Sequence, residues 1–287
     1  MNYHCYADDS QNYAFVKSHD GWAATLSDIE TCVHQVSGWM EQNMLKLNNS
    51  KTEVMFFASK HRNESIDGLS LTVGTHEIRP NAVVRNLGVY WDRNFALLAH
   101  VNAVCRSCNF QLRNIGRIRH YITEDACRTL VNALVTSRLD YGNALLSGVP
   151  DNVLSRLQRI QNTAARIVTR TPKACHISPV LKMLHWLPVK ERIQYKILFY
   201  TYKALNDSAP PYIRDLLQQY LPTRTLRSET KHMLCVPKSK TVTYSKRCFK
   251  IMAPVLWNSL PYDIKTSESL GVFKKRLKTY LFRSHFE

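Results

Sequence analysis

The sequence predicts an α+β protein: a hairpin, a helix and short strands first, then a mainly helical stretch, then a basic α+β C-terminal domain. Three observations carry this. Short aromatic and β-branched runs separated by turn residues mark the part up to Trp91. From Leu97 onward, apolar residues recur at three- and four-residue steps, the period of an amphipathic helix. After the polar, proline-marked stretch Asn206 to Pro211, basic residues interleave with aromatic ones. The pieces are read as 1–93, 94–172 and 173–287.

The chain begins with an apolar-aromatic run, His4-Cys5-Tyr6, then Ala7-Asp8-Asp9-Ser10, then a second run, Tyr13-Ala14-Phe15-Val16. Small polar residues between two β-prone runs predict a hairpin. Two adjacent carboxylates on a tight turn repel each other and offer oxygen donors to a hard cation, although in most chains an isolated pair of this kind is only a solvated turn. Leu26, Ile29, Val33, Val36 and Met40 then predict a helix opening at Thr25-Leu26-Ser27 and ending at Asn48-Asn49-Ser50. Glu53 to Ala58 reads as a returning strand, Leu69 to Val73 as a strand turning at Gly74-Thr75, and Val84 to Trp91 as a further β run.

Three helices follow: Leu97 to Arg117, a second capped by Thr123, and a third from Pro150-Asp151 to Val168. On the third, Val153, Leu157, Ile160, Ala164 and Val168 share one face, and Arg156, Arg159, Arg166 and Arg170 share another. No Asp or Glu between Asp151 and Pro172 stands at a pairing distance along the helix, so the arginines face either solvent or an anion. Helical pattern resumes from Ser178 to Leu205, broken at Trp186-Leu187-Pro188. The basic tail includes Lys246 and Arg247 beside Tyr244 and Phe249, a mixture suited to single-stranded nucleic acid, while Phe249 and Trp257 also fit a core. A last helix is expected from a Thr266-Ser267 cap.

With 287 residues, 45% of them hydrophobic, the chain is long enough to bury a sizeable core. The net charge of +17 is unevenly spread: residues 1–60 hold four Lys and Arg against seven Asp and Glu, and the remainder holds 35 against 15. Clustered positive charge points to a polyanion, and no amphipathic terminal helix favours a membrane instead. The start lacks the basic-then-apolar order of a signal peptide, so the expected location is intracellular, nucleus or cytoplasm, and not secreted. Eight cysteines without paired spacings are read as reduced thiols, and Cys105-Arg106-Ser107-Cys108, with no second pair, as a turn of helix rather than zinc ligands.

Tyr6-Ala7-Asp8-Asp9 resembles the polymerase active-site box of reverse transcriptases. Trp39, Asn43, Leu45-Lys46-Leu47-Asn48, Lys51-Thr52-Glu53 and Met55-Phe56 resemble the next block of the non-LTR (LINE-type) retrotransposon enzymes. Asn86-Leu87-Gly88-Val89 with Trp91-Asp92 resembles their primer-grip hairpin. Arg138-Leu139-Asp140-Tyr141, Leu157-Gln158-Arg159-Ile160-Gln161-Asn162, Leu184-His185-Trp186-Leu187-Pro188 and Leu256-Trp257-Asn258-Ser259-Leu260-Pro261 are similar to the C-terminal region of jockey- or CR1-like elements.

The resemblance implies the second half of a polymerase palm in 1–93, a thumb in 94–172 and a basic C-terminal domain in 173–287. It implies an RNA template and a DNA primer as partners, and Mg2+ as the cofactor of a two-metal site in the intact enzyme. Asp8 and Asp9 match the later metal-binding block, and Lys51 the lysine that protonates the leaving pyrophosphate. Leu87, Gly88 and Val89 match the primer grip, while Arg156, Arg159, Arg166, Arg170, Lys246 and Arg247 are the expected nucleic-acid contacts. The family's earlier block, whose aspartate bridges both metals, has no counterpart in the sequence, and a chain of this kind is expected to be inactive alone. A non-catalytic RNA- or DNA-binding module and a structural helical domain that binds protein are the other readings.

Overall fold

Ala7 and Asp8 alone connect the first two strands, β1 (Asn2–Tyr6) and β2 (Asp9–Tyr13), because Tyr6 pairs directly with Asp9. A two-residue connection matches strand twist when its first residue takes a positive φ, and Ala7 sits at φ 54°. The computed structural model describes residues 1–16, 21–57, 68–74, 76–220, 232–238 and 247–287. Two compact units divide it, Met1–Ala96 and Leu97–Glu287.

In the first unit, helix α1 (Trp22–Gln42) starts three residues before the expected opening, with Gly21 as its uncapped N-terminal neighbour. Two further hairpins follow, β3 (Leu71–Val73) with β4 (His76–Ile78), and β5 (Val83–Asn86) with β6 (Val89–Asp92). Each pairs only with its own partner, so the described strands form three separate two-stranded sheets. The returning strand expected at Glu53 is absent from Glu53 to Phe57, and Ala58 lies outside the described residues. That segment is held otherwise: Val54 accepts a hydrogen bond from Asn81 N at 2.8 Å, and Phe56 is buried edge-on against Trp22. Every residue of β1 is exposed, and a Gln11 to Asn86 amide bond of 3.0 Å ties this hairpin to β5.

The second unit is built from helices. They are α2 (Leu98–Ile118), α3 (Glu124–Val131), α4 (Ser137–Asp140), α5 (Asp151–Thr169), α6 (Ile177–Met183), α7 (Val189–Leu205), α8 (Pro211–Arg214), α9 (Phe249–Asn258), α10 (Tyr262–Lys265) and α11 (Leu270–Phe286). Thr123 caps α3 as its type predicts, accepting from Ala126 N. A π turn, Asn132–Thr136, joins α3 to α4 without a break. The expected Thr266-Ser267 cap of α11 is corrected to Ser269, whose hydroxyl accepts from Val272 N. Thr266 and Ser267 instead donate back to carbonyls of the preceding short helix, Tyr262 O and Ile264 O.

The expected boundary at 172/173 does not separate two cores. Ala165 of α5 packs with Val180 and Leu181 of α6, and Phe286 of α11 covers them. A larger cluster joins Leu198 and Tyr202 of α7 to Trp257, Phe273 and Leu277, with Tyr202 stacked on Phe273 at 4.2 Å. Of the strands expected in 173–287, the described residues show one isolated bridge, Gln219 to Leu234.

The end of α5 is fixed by a buried charge. A helix leaves its last carbonyls unpaired and its C-terminus partly negative. The Arg119 guanidinium, 8% exposed, donates from Nε to Ile167 O at 2.8 Å, from a terminal nitrogen to Val168 O at 2.7 Å, and from the other to Ile122 O at 2.9 Å. Arg119→Met should therefore lower the stability of the helical unit by about 2–4 kcal/mol, since charged hydrogen bonds and the dipole interaction go together. Urea unfolding followed by helical circular dichroism measures it, and an unchanged midpoint would refute this account of α5.

Candidate nucleic-acid interface

The two aspartates stand at the tip of the β1–β2 hairpin, Asp8 in the turn and Asp9 as the first residue of β2, both exposed. Among the described residues no group of three or more His, Cys, Asp or Glu side chains comes together. A hard divalent cation takes six or more oxygens, and two neighbouring carboxylates supply a minority of them. Among the described residues the hairpin tip thus offers fewer oxygens than two Mg2+ ions take. Lys51 closes a short 3-10 turn, Asn49–Lys51, is exposed, and shares no ion pair with either aspartate among the described residues. Leu87 and Gly88 form the two-residue turn between β5 and β6 with φ values of 45° and 79°. That is the geometry for which glycine is suited. Val89 is buried and Gly88 exposed.

The arginine face of α5 is real in position and more engaged than its sequence indicates. Arg156 is exposed and donates to Asn102 Oδ1 of α2 at 2.8 Å. Arg159 is exposed and has no hydrogen-bond or ion-pair partner among the described residues. Arg166 is half-buried and reaches Cys175 O at 2.9 Å. Arg170 ends the helix in the left-handed region, φ 57°, and donates to Arg119 O at 3.0 Å. All these partners are neutral oxygens, so they orient the guanidinium groups without cancelling their charge.

Arg247 is placed inside the fold rather than in an open tail. Its Nε donates to Ser147 O at 3.0 Å, and its side chain lies so close to Gly148 that a Cβ there would meet Arg247 Cγ at 2.6 Å. Lys246 lies outside the described residues.

Sequence reasoning passed over α2. Residues 93–123 contain no Asp or Glu, a signal as plain as the one on α5. Arg106, Arg113 and Arg117 are exposed there. The two helices pack side by side in matching direction, with Asn102 beside Arg156 and Arg119 at the end of α5. Between them lies an open hollow of about 360 Å³ lined by Asn109, Leu112, Arg113, Thr163 and Ile167. Cys105 feels both Arg156 and Arg159, which draw its pKa down, yet burial outweighs them and the thiol titrates above its ordinary value. Cys108 is fully buried and pushed up to about 11 by loss of solvation. These thiols are accordingly poor nucleophiles and poor metal ligands near neutral pH.

His100, in the first turn of α2, is 5% exposed, its Nδ1 lacks a partner among the described residues, and burial lowers its pKa. The folded ring resists a proton that the unfolded chain accepts, so the unfolded state binds more protons below pH about 6.5. Stability should fall as pH drops from 6.5 toward the depressed folded pKa, by at most about 1.4 kcal/mol per pH unit from this group, and should gain nothing from it above 6.5. His100→Gln should flatten the slope of unfolding free energy between pH 7 and 5; an identical slope would show that another group sets it.

No helix among the described residues is long and apolar enough to cross a membrane. No protein-family model, curated protein or solved structure matches the chain.

Proposed function

We propose that the chain is the C-terminal part of a LINE-type reverse transcriptase, an RNA-directed DNA polymerase, and that by itself it holds nucleic acid without extending it. In this reading 1–93 is a partial palm with its primer-grip hairpin, the helices from α2 to α5 serve as the thumb, and the rest is a basic C-terminal region. The single observation that carries the nucleic-acid part is the surface of α2 and of α5 beyond Asp151, without Asp or Glu over residues 93–123 and 152–172, where guanidinium groups are oriented by neutral oxygens and keep their full charge. Arginine suits phosphate because its planar fork meets two oxygens at once. The polymerase part rests on the resemblance and on Asp8 and Asp9 standing together at a hairpin tip. A non-catalytic binding module is the second reading, and it rests on the same arginine surface without the aspartate pair.

Two measurements test the reading. The chain with Mg2+, a primed RNA template and deoxynucleotides is expected to give no extension. Template-dependent incorporation that vanishes in Asp8→Ala would overturn the inactive assignment.

For binding, the engagement of each arginine sets the expected effect. Arg156 and Arg159 are exposed, Arg156 giving one terminal nitrogen to Asn102 and keeping its other donors for phosphates, so changing both to Gln should reduce the salt slope of duplex affinity by about 1.8, at roughly 0.9 per contact. Arg166 and Arg170 serve the chain's own carbonyls, and changing them should lower stability more than slope. Titrations at several salt concentrations, with helix content checked, decide this. An unchanged slope in the Arg156/Arg159 variant would return these residues to a solvated face.

A further inference from the structure

A separate stripe on α2 carries an aromatic ring among the arginines. At 3.6 residues per turn, Arg106, Phe110, Arg113 and Arg117 fall within an arc of about 60°. All four are exposed, and Phe110 keeps 57% of its surface in contact with solvent. Tyr121, just past the end of the helix, is 88% exposed. Neither ring stacks on another aromatic ring among the described residues, and both are exposed rather than buried in the core. Arg113 donates weakly to Asn109 O of its own helix at 3.5 Å; Arg106 and Arg117 have no hydrogen-bond or ion-pair partner among the described residues.

We propose that this stripe binds an unpaired polynucleotide strand, with Phe110 and Tyr121 stacking on bases and Arg106, Arg113 and Arg117 meeting the phosphates. The proposal rests on the nucleic-acid reading above and adds a ligand class that the α5 face does not specify. Apolar rings left in water cost free energy, and a strand offers both things the stripe lacks, flat apolar faces and negative charge, in alternation. A paired duplex offers the charge alone, because its bases are stacked on one another and turned inward. An acidic protein segment would satisfy the guanidinium groups but offers no repeating flat surface to the rings.

The test is fluorescence anisotropy of a labelled oligothymidine strand and of a labelled blunt duplex against the full chain, with helix content checked for each variant. Phe110→Ala is expected to weaken the oligothymidine complex about 5- to 150-fold, the range for one lost base stack, and to leave duplex affinity unchanged. Phe110→Tyr should restore binding, which a merely structural role for a half-exposed ring would not require. Arg156→Gln with Arg159→Gln should weaken the duplex complex in the same assay. Equal binding by Phe110→Ala and the parent chain, or competition by polyglutamate as strong as by unlabelled oligothymidine, would overturn the proposal while leaving the α5 reading intact. No binding of either probe would overturn both.

Discussion

A single buried guanidinium fixes how the helical unit presents its surface. Arg119 sits where α2 has ended and α3 has yet to begin, and its donors reach the last carbonyls of α5. Removing a charge from water is costly unless hydrogen bonds and a favourable field replace the solvent. The negative end of α5 supplies the field and two carbonyl acceptors, Ile167 O and Val168 O, and Ile122 O just before α3 supplies the third. Arg170 then returns a bond to Arg119 O, so that the C-terminal ends of α2 and α5 lock each other. With that end fixed and Arg156 bonded to Asn102 nearer the other, α5 cannot slide along α2 without breaking one contact or the other. The alignment of the arginines is a product of this registration.

The strings that carry the resemblance in the second half turn out to be clasps of the fold. Asp140 receives a two-pronged bond from Arg192 of α7, tying α4 to it. Gln161 donates to Leu187 O at 2.8 Å, and Gln158 accepts from Val189 N at 2.9 Å. Pro188 stands between those two residues and has no N–H of its own. The helix break at Trp186-Leu187-Pro188 is therefore satisfied by side chains of α5. Trp257 donates to His232 O, and Asn258 bonds Leu234 through both its donor and its acceptor, each at 2.8 Å. These residues explain packing, and the chemistry of the surface is left to residues outside those strings, except Arg159.

Much of the helical half was legible because its signals are local. The apolar faces of α2 and α5, the Thr123 cap and the break before α7 follow from period, cap type and proline. What was not legible depends on partners distant in sequence. Glu53 to Phe57 has the composition of a strand, but a strand exists only where another edge meets it, and here Asn81 meets it instead, through its backbone N–H to Val54 O and its side-chain amide to Glu53. The arginines of α5 read alike in one dimension, yet two of them spend their donors on carbonyls brought close by the chain's return. Arg247 read as part of an open tail because nothing local says that Gly148, far earlier, clears a space for its stem. The stripe on α2 needed only a count of acids along the helix.

Charge without compensation has a cost that also bears on folding. The surface arginines of α2 and α5 repel one another whenever no anion is present, and their neutral acceptors do nothing to relieve it. Added salt screens that repulsion, so the helical unit should become more stable as ionic strength rises from low to moderate. Nucleic-acid affinity must move the other way, because the same ions compete for the released counterion positions. A face kept merely for solubility would show the first trend alone. Urea unfolding at several salt concentrations, set beside binding titrations over the same range, separates the cases. Opposite slopes that shrink together in Arg156→Gln with Arg159→Gln would trace both to one surface, and a stability independent of salt would mean that these guanidinium groups are too well solvated to strain the fold.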